Sequence, residues 1–363
     1  ELADDSDAEG AIADAVAELW SRGASGGILV FLPGEREIRD AARVLGGRFP
    51  DAEILPLYSR LASSAQDLVF LPARKPRIVL ATNVAETSLT VPGIRYVIDT
   101  GTARISRFAP RTGVQQLHIE PVSQASANQR AGRCGRLGPG TCIRLYAADD
   151  FAARPAFTDP EIKRANLAGV LLQMAALGLG RIETFPWVDA PEGRHVAEAT
   201  RVLEMLGAFD ERGMLTPLGR ELARLPLDPR IGRIALAGRG TPVETEVFVL
   251  AAALSVQDPH EVPADAPDAA REKHAQWRHR RSDFLSLLLL WQRFRQWSAS
   301  ASNRQLRRLC REHFVSFLRL EEWEAVYHQI CELLGSRTAT SAPNWTAESL
   351  EAVYAPIHQA LLA

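Results

Sequence analysis

The strongest constraint on this chain is a rhythm in its first 150 residues. Five short apolar runs recur there: 28–34 (ILVFLPG), 53–57 (EILPL), 77–81 (RIVLA), 94–99 (IRYVID) and 140–146 (GTCIRLY). Each is too short for an ordinary helix and has the length of a strand. The stretches between them carry helical periodicity. Residues 35–45 place Ile38, Ala41, Ala42 and Leu45 on one face, 61–71 reads as a second helix, and 7–22 precedes the first run as another. Strands buried on both faces read as continuous apolar runs, and their alternation with helices predicts a parallel α/β sheet.

Two segments beside these strands are chemically loaded. Residues 81–93 (ATNVAETSLTVPG) follow the third run directly, and open α/β sheets bind ligands beyond the carboxyl ends of their strands. Thr82, Asn83, Thr87, Ser88 and Thr90 offer hydroxyls and an amide suited to phosphate or sugar, although such residues also favour turns and caps for local reasons. Residues 129–136 (QRAGRCGR) interleave Arg130, Arg133 and Arg136 with Gly132 and Gly135. On a helix, Gln129, Arg133 and Arg136 share one face, and the glycines hold nothing away from it. Forked guanidiniums, charged at any working pH, suit a polyphosphate; the alternative is a solvated basic helix. Between the two segments, 102–119 shows two alternating runs around Pro110-Arg111-Thr112-Gly113. This is a hairpin signature made basic by Arg104, Arg107 and Arg111.

The pattern changes near residue 150. Residues 159–177 read as an amphipathic helix with Pro160 in its first turn, and 198–206 as a second helix. Residues 207–218 hold two short apolar runs around Glu211-Arg212-Gly213, and helices followed by such a wing predict a winged-helix module. From 226 onward only helices appear: 230–237, 244–254, 283–297, 303–334 with a break, and 346–362, with a loop at 258–268.

Composition narrows the class. A length of 363 residues implies two or three domains, and no apolar run approaches the ~18 residues of a membrane-spanning helix. No secretory signal opens the chain, which begins with Glu and is expected to be a piece of a longer protein. Four cysteines without CxxC spacing read as reduced cytoplasmic thiols, and eight scattered histidines without HExxH give no metal site. The net charge of −2 hides eleven Lys/Arg against two acids within 271–311, a patch that either attracts a phosphate backbone or forms a solvated helix face.

Together, 28–38 (ILVFLPGEREI), 77–99 and 129–136 resemble motifs IV, V and VI in the second RecA-like domain of the DEAH-box RNA helicases, within superfamily 2. The phrases LPGEREIRDA, TSLTVPGI, SQASANQR and MAALGLG are most similar to the bacterial HrpA type. The match continues through TDPEI and LTPLGRELARLPLDPRIGR of a winged helix to SDFLSLL of a ratchet-like helical region. The resemblance implies a RecA-like parallel sheet domain over 1–150, a winged helix over 151–225 and an all-α bundle over 226–363, with an OB-fold after it.

The resemblance also implies roles. Arg133 and Arg136 would be arginine fingers on ATP and Gln129 would place the attacking water; Ser88 would sense the nucleotide beside Thr90, and Phe70 would stack on its base. Gly34, Thr82 and Asn83 would hold the backbone of single-stranded RNA, with DNA left open, and Arg104, Arg107 and Arg111 would present the hairpin to it. Pro92 departs from the Asp that many relatives carry near the ribose. No GxxxxGK[ST] and no DEAH occur, so the phosphate loop and the Mg2+ carboxylates are expected from a first RecA-like domain in cis, and the chain alone is expected to be inactive. A cytoplasmic monomer without membrane contact is the accompanying expectation. The competing expectation is a non-catalytic winged-helix nucleic-acid-binding protein, which would need positive charge at 129–136 but no particular geometry. A dinucleotide site built on GRCGRLG fails, because those glycines follow an arginine-rich segment and not a strand.

Overall fold

The computed structural model describes residues 8–23, 25–59, 61, 63–87, 89–109, 114–136, 138–263, 266–338 and 343–362. Ser88, Arg111 and the expected hairpin turn at 110–113 lie outside them. The chain forms two compact units, Glu1–Ala165 and Asn166–Ala363.

The first unit contains α1 (Ala8–Ser21), β1 (Gly27–Phe31), α2 (Glu35–Arg48), β2 (Glu53–Leu57), α3 (Ser63–Leu68), β3 (Arg77–Ala81) and β4 (Ile94–Asp99). The hairpin β5 (Thr102–Ala109) and β6 (Val114–Pro121), then α4 (Gln124–Ala131), β7 (Thr141–Arg144) and α5 (Ala148–Ala153) complete it. All five predicted strands are present, in one parallel sheet of order β2-β3-β1-β4-β7.

The two faces of that sheet are covered differently. Ile28, Val30, Ile78, Leu80 and Ile98 face α1 and α2, which bring Ile12, Val16, Leu19, Ile38, Ala41 and Leu45. The other face, with Leu29, Phe31, Leu57, Val79, Ala81 and Val97, is covered by Val69, Ala85, Val91 and Cys134. These come from the turn after α3, the 82–93 segment and the bend after α4, so no long helix shields the face where both loaded motifs lie.

Several predicted helices differ from those observed: that over 198–206 starts earlier, at Gly193, that over 346–362 is divided at Val353, and three others differ for a local reason. The helix expected over 61–71 is only Ser63–Leu68: the carbonyls of Val69 and Leu71 turn toward the buried Arg77, which donates to both at 3.1 and 2.6 Å. The helix expected over 159–177 is a single 3-10 turn, Glu161–Lys163, then α6 (Ala168–Ala176). Arg164 breaks it by serving the hairpin, accepting from Phe108 N at 2.7 Å, and the Asn166 side chain then receives Ala168 N at 2.8 Å. The arginine segment departs most, as described below.

In the second unit α6 is followed by α7 (Gly193–Met205), α8 (Pro217–Arg224), α9 (Pro229–Gly238) and α10 (Glu244–Ser255). Next come α11 (Pro267–His274), α12 (Asp283–Ser300), α13 (Asn303–Glu312), α14 (Phe317–Leu334), α15 (Ala347–Ala352) and α16 (Tyr354–Leu361). The wing is present as a bridge between Phe209 and Leu215, turned by Asp210, whose carboxylate receives the N–H groups of Arg212 and Met214. α10 is buried along Val247, Phe248, Val249, Leu250, Ala251 and Ala252, an all-round apolar helix of the kind that runs through a core. The Trp323 indole of α14 donates to the Val249 carbonyl at 2.8 Å, which satisfies the polar atom of a fully buried ring. Among the described residues no helix is long and apolar enough to cross a membrane.

Gly219 lies so close to the wing that a Cβ there would be 2.2 Å from the Ala208 carbonyl oxygen, whereas Gly47 in α2 has open space. Gly219→Ala should therefore destabilise the chain by ~1–3 kcal/mol. Gly47→Ala should stabilise it by ~0.5–1 kcal/mol, because glycine loses more backbone entropy in a helix. Urea unfolding of both variants gives the two signs directly.

Candidate functional site

α4 opens with Ser123 as its cap, the hydroxyl accepting from Ser126 N, and ends at Ala131 with Gly132 as C-cap. Arg133 and Arg136 are thus not on a helix, and the single helical face expected for Gln129, Arg133 and Arg136 does not form. Past the cap the chain makes successive i to i+3 turns: Arg133 N to Arg130 O, Cys134 N to Ala131 O and Gly135 N to Gly132 O. At that pitch residues three apart eclipse one another. Arg130, Arg133 and Arg136 therefore line up in a row along the 86–90 segment. Gln129 lies outside that row and is exposed.

Each arginine of the row meets a different group. Arg130, fully buried, donates through Nη1 to Asp99 Oδ1 at 2.7 Å and to Thr102 O at 3.1 Å, and through Nε to Glu86 Oε2 at 3.0 Å. Arg133 donates to the carbonyls of Glu86 and Leu89, and Arg136, at the surface, donates to Thr90 Oγ1. Among the described residues neither Arg133 nor Arg136 is ion-paired with a carboxylate. Burial, and then the charge of Arg136, hold the Arg133 pKa below its ordinary value, against a smaller opposing pull from Glu86. Two carbonyls occupy two of its five N–H donors and leave the rest for an incoming anion.

Phe70 is exposed on the turn after α3, next to Val69, and Cys134 is next to Arg133. Val69 and Cys134 pack in one cluster over the same sheet face. Thr90, Arg133 and Arg136 come together beside Leu89 and Val91, whereas Phe70 is placed only through its neighbour Val69.

The residues expected at the nucleic acid gather elsewhere, at the carboxyl ends of adjacent strands. Gly34 follows β1 as the cap of α2, Thr82 and Asn83 follow β3, and Arg104 lies just past β4 at the base of the hairpin. A Cβ on Gly34 would be 2.6 Å from Arg104 Cζ, so glycine is what lets the hairpin arginine approach. Arg104 and Arg107 are less free than the sequence implied. Arg104 pairs with Glu37 at 3.4 Å, and Arg107 forks onto Glu120 at 2.6 and 2.8 Å with Asp159 at 3.2 Å. Arg107 is held more firmly protonated than usual by Glu120, whose own pKa is depressed in return.

Sequence reasoning passed over Glu86 and Asp99, the acids that hold Arg130. The signal for Asp99 was present: an acidic residue ending a strand whose interior is buried cannot stay there unpaired. In the second unit, Arg271, Arg281, Arg295 and Arg308 of the basic stretch pair with acids, all four of which lie outside it, while Arg304 and Arg311 are exposed on α13. Among the described residues no cluster of His, Cys, Asp and Glu could hold a metal ion.

Comparison with known proteins gives matching relatives. Residues 11–138 match the helicase conserved C-terminal domain, and 199–227 match the winged-helix helicase associated domain HA2. The chain is 51% identical over 358 residues to the ATP-dependent RNA helicase HrpA of Escherichia coli, covering 97% of this chain and 27% of that protein. It is 49% identical over 368 residues to the HrpA homolog of Haemophilus influenzae, covering 99% of this chain and 28% of the relative. The chain therefore spans little more than a quarter of the curated relatives it matches. The crystal structure of the E. coli DExH-box NTPase HrpB aligns over 98% of this chain and 38% of that one, with a TM-score of 0.70 and 29% identity.

Burial raises the thiol pKa of all four cysteines, of Cys142 to about 12 with the Asp99 charge adding to the effect, and of Cys310 to about 12. Thiolate is the reactive form, so it is scarce at neutral pH. The native chain should react slowly with a chromogenic disulfide at pH 7 and release all four thiols once denatured; fast native labelling would contradict this arrangement.

Proposed function

The chain belongs to the DEAH-box helicases of the HrpA type, and from that premise we propose that it supplies one half of an ATP site together with part of a single-stranded RNA path. The observation that carries this reading is the pair Arg133 and Arg136, without carboxylate partners among the described residues, beside Thr90. In this reading the two guanidiniums are arginine fingers on the β- and γ-phosphates, Gln129 orients the attacking water, Ser88 senses the nucleotide and Phe70 stacks on its base. Phosphoryl transfer is governed by positioning and charge stabilisation, which is what such groups provide. The remaining donors of Arg133 fit a polyphosphate; Mg2+, which would neutralise charge between the phosphates, needs carboxylates that this reading assigns to a separate RecA-like domain in cis.

The same reading assigns Gly34, Thr82 and Asn83 to the RNA backbone, and Arg104, Arg107 and Arg111 to the hairpin that meets the strand. By itself, the second unit, divided in this reading into a winged helix to residue 225 and a helical bundle beyond it, carries exposed arginines on α13 suited to backbone contacts. Arginine-lined grooves of this kind hold single strands with little base preference. A non-catalytic binding protein would explain the basic helices but not why Arg133 and Arg136 remain uncompensated while Arg104, Arg107 and Arg130 are all ion-paired.

In the full-length protein, Arg133→Lys keeps the charge but removes the fork. ATP turnover should fall by ~10³–10⁵ while RNA affinity is spared, and the chain alone should show no turnover. Retained turnover in the variant would favour the binding-protein reading. RNA affinity of the chain, followed by fluorescence anisotropy, should fall steeply and log-linearly with salt as counterions are displaced; a flat response would remove the basic path.

A further inference from the structure

Arg130 has no assigned part in the reading above, yet it is the most heavily engaged side chain of the site. Its guanidinium has three anchors on separate segments: Glu86 in the 86–90 segment, Asp99 at the end of β4, and the carbonyl of Thr102, the first residue of the hairpin. Each anchor is itself held. Glu86 accepts from Ser126 Oγ, and Asp99 accepts from Tyr146 Oη at 2.9 Å and Gly101 N at 2.9 Å. Arg154 stacks 3.9 Å from the centre of the Tyr146 ring and donates to Gly101 O at 2.8 Å. Two carboxylates face one guanidinium, and the two hydroxyl donors share the excess negative charge.

Stability alone does not account for this cluster. A buried ion triad is often no better than apolar residues of the same volume, because desolvation offsets the attraction. Arg130 Nη2 also finds no hydrogen-bond acceptor among the described residues, with the guanidinium 4.9 Å from the centre of the Phe31 ring. What the triad supplies is geometry. The segment whose Glu86 and Leu89 carbonyls hold Arg133, and whose Thr90 holds Arg136, is tied through one planar group to the root of the hairpin. A shift of the phosphate-facing segment therefore cannot leave the hairpin root where it was without breaking a charged hydrogen bond in a dry site, which is the costly case.

We propose that Arg130 is a positioning residue that couples the phosphate-facing side of this domain to its strand-facing edge, with Glu86 and Asp99 as its anchors. The proposal rests on the helicase reading above, and it identifies where RNA occupancy and ATP turnover would be linked.

The test uses the full-length protein and the variants Glu86→Gln and Arg130→Lys. The first keeps size and the bond from Ser126 but drops the charge; the second keeps the charge but cannot span three anchors. ATP turnover is measured with and without a single-stranded RNA, together with the KM for ATP, the RNA Kd and the melting temperature. In both variants the ratio of RNA-stimulated to unstimulated kcat should fall by about 5–150-fold, the usual range of coupling between sites, while KM for ATP and Kd for RNA hold. Should Arg130→Lys not fold, Glu86→Gln decides. A wild-type ratio in Glu86→Gln overturns the proposal. A parallel loss of both rates that follows the melting temperature also overturns it, because that is how a simple brace behaves. A wild-type protein without RNA-stimulated turnover would sink the helicase reading, and this inference with it.

Discussion

The ion pair between Asp99 and Arg130, both fully buried, is the contact on which the first unit's architecture turns. Removing one member of such a pair leaves an unpaired charge in a dry interior and costs about 3–5 kcal/mol. The pair also fixes where things are. Asp99 ends β4 in the middle of the sheet, so tying Arg130 to it pins the end of α4 over a strand terminus. From that fixed point three successive i to i+3 bonds carry the chain past Arg133 toward Arg136, along the 86–90 segment.

Spacing of three matters for the same reason. On an α-helix, positions three apart drift by ~60° around the axis, whereas in the tighter turns they eclipse. Glycine at 132 ends the helix, and Gly135 accepts the tight bend that follows. A continuous helix would have spread the three guanidiniums around its surface and brought fewer of them to the segment.

This also explains what the sequence disclosed and what it withheld. Strands were legible because burial on both faces leaves an unbroken apolar run, as in RIVLA and IRYVID, and the helices after residue 226 were legible from periodicity. The motifs were legible as segments, and the structure puts Gly34, Thr82 and Asn83 just past the strands they follow and Thr90 against Arg136. Hidden were the features fixed by long-range polar contacts. Arg77 stops α3 from eight residues away, Arg164 breaks a predicted helix to reach the hairpin, and Glu86 finds Arg130 across 44 positions. No local pattern encodes such partners, because an arginine reads alike whether it ends in solvent, on a carbonyl or on a carboxylate.

Partner identity is what separates the arginines of this domain. Arg104, Arg107 and Arg154 meet carboxylates near the surface, Arg130 meets them in the interior, and Arg133 and Arg136 meet only carbonyl and hydroxyl oxygens among the described residues. A carbonyl orients a guanidinium without neutralising it. An arginine held that way is positioned like a structural residue yet keeps the field of a free cation, and proximity of the second guanidinium makes an anion more welcome still. The buried pair supplies the rigidity and the carbonyl-held pair the reach, and the two depend on each other: without Asp99 to fix Arg130, the guanidiniums beyond it would have the same charge but no defined direction.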